Sequence, residues 1–526
     1  MPFLLLLAAL LLLPAPGRAQ PADEALTALA STSFDGLRRG VEALAISGHP
    51  RAQAVITALQ AGTLFMRGDK ALFIKNEDGT FADAATGATA DVPASALKQI
   101  RLNNAVRGAI DAALGALRLF APDIAIRLQA AEAVFRSRDP AVLPALERAL
   151  TKEADPTVKR RMEQARAAAQ LTAPDTAEPD RLAAISILRA RGDIEARSLL
   201  GTLTGQSPPV TEAAATAITG IDRNLQLWSV LQSVFYGLSL GSVLLLAAAG
   251  LAITFGVMGV INMAHGEMVM IGAYVTFMVQ QLLKTHAPSI YGASLIFAIP
   301  LAFLTAGALG VVIERALIRW LYGRPLETLL ATWGLSLVLQ QAVRSLFGAS
   351  NRDVDTPGWM SGATEFGGLT ITWNRLYIIL FAVLVLAALM AALRFTPLGL
   401  RMRAVTQNRQ MAAAMGIRTP WIDALTFGLG SGVAGMAGVA LSQIDNVSPN
   451  LGQSYIIDSF MVVVFGGVGN LWGTTLGALT LGIVNKFLEP VAGAVLGKIV
   501  VLVLLILFIQ RRPRGMFPLK GRAAEA

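Results

Sequence analysis

Residues 228–283 read WSVLQSVFYGLSLGSVLLLAAAGLAITFGVMGVINMAHGEMVMIGAYVTFMVQQLL. Two apolar segments lie here, 228–252 and 257–283, each as long as the roughly 20 residues a helix needs to cross a bilayer. Asn262, His265 and Glu267 interrupt the second, and such groups are costly at membrane depth. They must therefore face a protein interior, a cavity or the membrane surface. Further apolar segments follow at 291–313, 326–347, 376–393, 422–443, 454–469, 474–488 and 491–510. The last ones are short and Gly-rich, so two of the last three read as a broken or re-entrant pair. The expected fold is all-α: a polytopic helical membrane domain of about seven to nine spans with Gly-rich broken helices, over residues 223–526.

Composition agrees. The 526 residues are 54% hydrophobic and only 15% charged, against about 25% charged in soluble proteins. Cys is 0, which removes disulfides, thiolate zinc sites, iron–sulfur clusters and cysteine nucleophiles. The 3 histidines, His49, His265 and His286, are too scattered for a three-histidine metal site. From 20 to 222 there are 23 basic against 24 acidic residues, and from 223 onward 20 against 11, so the net +9 resides in the apolar part. That is the pattern of basic cytoplasmic loops; no basic cluster interleaved with aromatics points to nucleic acid.

The amino-terminal part divides in two. Phe3 to Leu13 has the length of a signal-peptide core, and Gly17-Arg18-Ala19 offers a small-x-small cleavage site. Residues 1–19 are expected to be a signal peptide, although no Lys or Arg precedes the core. Residues 20–222 are expected to form a periplasmic, mainly helical domain. Ile124, Leu128, Ala131 and Phe135 lie at helical spacing. Asp139-Pro140, Asp155-Pro156 and Gly192-Asp193 mark turns between helices in a pattern that resembles HEAT repeats. Leu64 to Phe81 reads as one or two β-hairpins. Parity then places Arg315, Arg319 and Arg324, Arg394 to Arg418, and Arg511 to Arg522 all on the cytoplasmic face, with the carboxyl terminus inside.

Three stretches carry functional signals. The first is the loop Arg394 to Arg418, in which Met411, Ala412, Ala413 and Ala414 form a small-residue helix stopped by Gly416. Such a helix fits a groove of another protein, while Arg403 and Arg409 can pair with acidic groups. It resembles the coupling loop of ABC importer permeases; the plain alternative is an ordinary basic loop. The second is Asn262, His265 and Glu267. Rotations of about 500° and about 200° separate Asn262 and His265 from Glu267 on a regular helix. The three therefore share no face unless the helix breaks, with Gly266 as the expected place. Metal ligation, a proton relay, bracing of a helix break along a path, and a structural cap remain open for His265. The third is Gln443 to Asp458, including Asn446, and then Phe465 to Gly477, including Asn470. Its glycines permit close helix approach. Asn262 and Asn470, each beside a Gly-rich bend, look like a weak internal repeat whose bends meet around a central path.

In this order the three stretches resemble the permease family of branched-chain amino-acid-type ABC importers, over roughly 229–517. Val405-Thr-Gln-Asn-Arg409, the run from Gln443 into Gly473, and the long helical domain before the first span are similar to the urea-uptake permeases within it. Many members carry an acidic residue in the coupling loop where this chain has Gln407-Asn408. The resemblance implies a non-catalytic permease subunit of the bacterial inner membrane, most readily for urea or a short amide, with an amino acid as the alternative. It implies a path involving Asn262, His265, Glu267, Gln443, Asn446, Asp458 and Asn470. It also implies ATPase contact at Arg403, Gln407, Asn408, Arg409, Met411 to Ala414 and Gly416. The implied partners are a second permease, ATPase subunits that bind ATP and Mg, a periplasmic binding protein and lipid; no cofactor or metal is bound by this chain. No Gly-x-x-x-x-Gly-Lys-Ser/Thr phosphate loop is present, so ATP hydrolysis belongs elsewhere. A passive channel would not need the coupling helix, and a sensor would need a signalling domain where only a short tail follows Gln510. An intramembrane hydrolase would need a nucleophile beside a supported histidine.

Overall fold

The computed structural model describes residues 26–517 apart from 32, 48, 77, 78 and 204. The expected signal peptide, 1–19, and the basic residues Lys520 and Arg522 lie outside the described residues. Two compact units divide the chain, residues up to 225 and residues from 226.

The first unit is mainly helical. Helices α1 (Phe34–Ser47) and α2 (Ala52–Gln60) precede five short strands, β1 (Leu64–Arg67), β2 (Leu72–Lys75), β3 (Phe81–Asp83), β4 (Thr89–Ala90) and β5 (Leu97–Gln99). The antiparallel sheet has the order β4-β3-β2-β1-β5, with Phe65 opposite Phe73 and Gln99. This extends the expected hairpins and departs from an all-α class. Strands of two to four residues carry too little alternation to be read from sequence.

Helices α3 (Asn104–Arg118), α4 (Ile124–Ser137), α5 (Leu143–Lys152), α6 (Pro156–Thr172), α7 (Glu178–Arg191) and α8 (Ile194–Gly201) follow. Asp123, Asp155 and Asp193 begin α4, α6 and α8 by accepting hydrogen bonds from first-turn amides, and Asp139 does so for the 3-10 turn before α5. These aspartates satisfy amides that have no intrahelical partner. Leu146, Val158, Met162 and Leu188 fill the core of the stack. Arg191 is almost buried and binds Glu132 at 2.8 Å and Asp193 at 2.6 Å, with its guanidinium 3.7 Å from the Phe135 ring centroid.

Helix α9 (Pro208–Met258) carries the chain into the second unit. There α10 (His265–His286), α11 (Ser294–Ala316), α12 (Pro325–Phe347), a hairpin β6 (Ala363–Phe366) and β7 (Leu369–Thr372), and α13 (Trp373–Phe395) follow. The short helices α14 (Pro397–Gln407) and α15 (Arg409–Ala414) lead to α16 (Thr419–Leu441), α17 (Leu451–Gly466) and α18 (Leu471–Arg511). Among the described residues, six helices are long and apolar enough to cross a membrane, by length and composition: α9, α10, α11 with the turn before it, α13, α16 and α18.

Four of the nine apolar segments take particular forms, the last two as the expected broken pair. Segment 454–469 is the 16-residue α17. Segments 474–488 and 491–510 are the two arms of α18, broken only at Gly493, whose φ is 76°. Segment 326–347 forms α12, whose inner face carries Thr328, Thr332, Ser336 and Gln340 at a spacing of four, all buried. That polar stripe lowers its hydropathy below that of its neighbours.

Backbone contact between glycines holds this unit together. A Cβ on Gly272 would lie 2.0 Å from the Gly435 carbonyl oxygen, one on Gly250 2.3 Å from that of Gly430, and one on Gly266 2.3 Å from that of Gly452. Lipid-like surroundings supply no hydrophobic drive between helices, so close packing of this kind takes its place. The apolar segments of α9 and α16 are 83% buried, whereas those of α13 and α18 are 22% and 17% buried. The first pair therefore forms the centre.

Candidate functional site

The chain leaves the helical conformation after Met258 and resumes it at His265, so the break lies over 259–264 and not at Gly266. Gly266 serves instead as the contact to Gly452. Asn262 closes the break: its side-chain oxygen accepts from the Ala264 amide at 3.0 Å, while the Met263 amide donates to Thr332 Oγ1 at 3.1 Å.

His265 and Glu267 then point different ways, as a rotation of about 200° requires. His265 is fully buried against α9, with Nε2 2.9 Å from the Ala247 carbonyl oxygen. A carbonyl only accepts, so Nε2 carries a proton; Nδ1 has no partner among the described residues. Glu267 faces α12, where Oε1 accepts from Ser336 Oγ at 2.8 Å and Gln340 Nε2 at 2.9 Å. Its Oε2 is buried without a hydrogen-bond partner among the described residues. The bracing of a helix break thus falls to Asn262, and Glu267 ties two helices together. Ser336 and Gln340 were missed from sequence; the signal was four buried polar residues at i, i+4 in an otherwise apolar helix.

The other expected path residues are dispersed. Gln443 is buried beyond the end of α16, and its backbone oxygen accepts from Asn374 Nδ2 at 3.3 Å. Asn446 is exposed on the following loop, which pairs with Arg352 through Val447. Asp458 is buried and held by Lys498 at 2.9 Å. Asn470 starts α18 by accepting from the amides of Trp472 and Gly473, and its Nδ2 donates to the Phe517 carbonyl. The two Gly-rich bends do meet: a Cβ on Gly256 would stand 2.5 Å from Gly469 Cα. Asn262 and Asn470 also make the same kind of bond, to the amide two residues on. At the opposite end of α10, Lys284 pairs with Asp355 and holds that carboxyl below the usual carboxylate range.

In the basic loop, Asn408 starts α15 by accepting from the Met411 amide at 2.9 Å. Gly416 ends it with φ 84°, and two bonds close the turn, from the Gly416 amide to Ala413 and from the Ile417 amide to Ala412. Gln407, Met411, Ala413 and Ala414 are exposed, while Ala412 is buried. The structure also gives the two arginines partners within the chain. Arg403 donates to the Leu393 carbonyl and Arg409 pairs with Asp423, so both are engaged within the chain.

The family described as "Branched-chain amino acid transport system / permease component" matches residues 233–509, more than half of the chain. The chain belongs to this family. The permease is 32% identical over 296 residues to the high-affinity branched-chain amino acid transport system permease protein BraD of Pseudomonas aeruginosa, covering 55% of this chain and 96% of that one. It is 33% identical over 293 residues to the permease protein LivH of Escherichia coli, covering 54% and 94%. To the probable branched-chain amino acid transport permease protein LivH of Methanocaldococcus jannaschii it is 25% identical over 292 residues, covering 52% and 88%. No solved structure matches. The fold and the family together make the chain a multi-pass membrane permease.

Proposed function

We propose that the chain is the solute-conducting subunit of an ATP-driven importer in the bacterial inner membrane. It would work with a second permease, ATPase subunits that bind ATP and Mg, and a periplasmic binding protein. The observation that carries this reading is the family match over the glycine-packed unit. The short helix α15, with Met411, Ala413 and Ala414 exposed between the breaks at Asn408 and Gly416, supplies the ATPase contact.

Residues 1–19 act as signal peptide, 20–222 as a HEAT-like periplasmic domain and 223–526 as the permease domain, with the carboxyl terminus in the cytoplasm. The loop charges support this orientation.

The solute is a branched-chain or related amino acid. The relatives' names favour this class over urea, and a free Glu267 oxygen accepts from an ammonium or an amide N–H alike. Urea stands as the second reading. Its support is the long helical unit before residue 226, since 293 aligned residues already cover 94% of the Escherichia coli relative. Uptake of labelled leucine and labelled urea by a strain deleted for this gene decides between them. Loss of leucine uptake alone supports the first reading, loss of urea uptake alone the second, and loss of neither contradicts both.

A further inference from the structure

Helices α11 and α16 pack antiparallel through a run of small residues. Added Cβ atoms on four glycines place the facing pairs. Gly435 meets the Ala302 oxygen at 2.6 Å, Gly432 the Phe303 oxygen at 2.9 Å, Gly307 the Gly428 oxygen at 3.1 Å and Gly310 the Phe427 oxygen at 3.2 Å. Each step toward the end of α11 is matched by a step toward the start of α16. One further turn brings Glu314 opposite Asp423. Both side chains are fully buried, so two carboxylates face each other at one end of a seam whose other contacts are backbone, apolar side chains and the Ser431 hydroxyl.

Among the described residues, one cation pairs with Asp423. Arg409, the first residue of α15, pairs with Asp423, and its guanidinium lies 4.7 Å from the Tyr322 ring centroid. Neither oxygen of Glu314 has a hydrogen-bond partner among the described residues. The nearest recorded cation, Arg315, holds Nε 3.9 Å from Glu314 Oε2, with its guanidinium over the Trp421 ring. The helix that carries Arg409 is six residues long, with a capping break before it and a left-handed stop after it. Ala412 is its buried residue. Arg409 and Ala412 therefore hold α15 to the membrane unit.

We propose that Arg409 is the positioning residue that passes movement of the loop helix α15 to the α11–α16 seam. Seated on Asp423, it offsets the nearer of two facing carboxylates; withdrawn, it leaves Asp423 unpaired beside Glu314, whose only ion pair among the described residues is the long one to Arg315. Buried like charges repel and are stabilised only by water or a new partner, so the seam parts at that end. A seam without a hydrophobic drive has little else to resist this. The inference rests on the proposed ATP-driven role of the loop, and it assigns Arg409 a task inside the chain.

The test uses the complete complex in proteoliposomes, where the wild type must first show ATP-driven uptake. Failure at that step sinks the importer reading itself. Arg409→Ala is expected to lower uptake at least about tenfold while ATP hydrolysis continues, so that more ATP is hydrolysed per solute. Adding Glu314→Gln and Asp423→Asn to that variant removes the facing charges. Thermal stability should return and uptake should not. A merely structural Arg409 would instead give a triple variant that transports within about twofold of wild type, which overturns the proposal. Normal uptake by Arg409→Ala overturns it as well.

A second measurement covers variants that fail to assemble. Because the chain has no cysteine, spin labels at Arg319→Cys and Arg418→Cys, both exposed near the ends of α11 and α16, report the seam with Arg409 intact. The label separation should increase when a non-hydrolysable ATP analogue binds the complex. An unchanged separation contradicts the proposal.

Discussion

The two units of this chain solve helix packing by opposite means. In the first, aspartates start the helices, alanine and leucine fill the core, and Arg191 gathers Glu132, Asp193 and Glu195 around itself at the partly exposed edge. In the second, hydroxyls such as Thr254, Thr276 and Thr426 bond back to their own helices, and glycine backbones touch directly. Water drives the first arrangement through burial of apolar surface. The second has no such drive and depends on contact distance. The first unit should therefore be sensitive to lost charge partners and caps, and the second to added methyl groups.

The largest effect is expected from Gly272→Leu, since its first added carbon already lies 2.0 Å from the Gly435 oxygen. Overpacking costs about 1–3 kcal/mol or more, and backbone cannot yield as a side chain does. The solubilised protein should lose monodispersity on size-exclusion chromatography. Gly334→Ala, at a position with nothing within 4 Å of an added Cβ, should leave it unchanged. Equal behaviour of the two would break the contrast.

Next comes Glu267. Replacement by leucine strips Ser336 and Gln340 of their shared acceptor; Gln340 Nε2 keeps its 3.1 Å bond to Ser336 Oγ, so the cost is about 1–3 kcal/mol for the Ser336 hydroxyl left unpaired. Glu267→Gln keeps an acceptor oxygen and should be milder in initial uptake at matched expression. Equal losses would show that the charge, not the hydrogen bonding, is required.

In the first unit, Arg191→Ala should cost about 2 kcal/mol, because the acids it leaves are only partly buried. The hydrogen bond from Arg191 holds the Glu132 carboxyl below its usual range. A carboxylate whose pKa is depressed on folding stabilises above its unfolded pKa, about 4.3, and loses that contribution as pH falls through the lower folded value. Hydrogen exchange in α4 and α7 should thus accelerate as wild type is acidified below about pH 4.3, and depend less on pH in Arg191→Ala. The same pH dependence in both would contradict this role.

The smallest effect belongs to Asp155→Ala, which removes bonds to the Thr157 and Val158 amides. A loss of about 1 kcal/mol is expected, read as faster exchange confined to the first turn of α6. Unchanged exchange there would deny the cap its weight.

Apolar length and turn chemistry made much of this legible before any coordinates. Segments 228–252 and 376–393 fall within helices, 291–313 and 422–443 overrun α11 and α16 by a few residues, 257–283 straddles the break at 259–264, and Asp139-Pro140, Asp155-Pro156 and Gly192-Asp193 fall at the junctions of helical elements. What escaped was long-range. The facing of Glu314 and Asp423 depends on the antiparallel register of α11 and α16, which no local pattern contains, although two acids at the ends of apolar segments were a warning. Ser336 and Gln340 escaped because their segment was read for its apolar content and not for the polar stripe within it. The place of the helix break escaped because glycine permits a bend without requiring one. Gly266 proved to be a contact, and the bend fell at Gly259, whose φ is 69°.

The central claim is that this glycine-packed unit conducts solute only when an ATPase works on its loop. The complex reconstituted in proteoliposomes, supplied with external binding protein and labelled solute, tests it with ATP inside, outside or absent, taking vesicles with the ATPase face inward. Uptake should require enclosed ATP and should stop when the exposed face of α15 is blocked by bulky Ala413→Trp. Solute entering at the same rate without ATP would make the chain a passive channel and contradict the account.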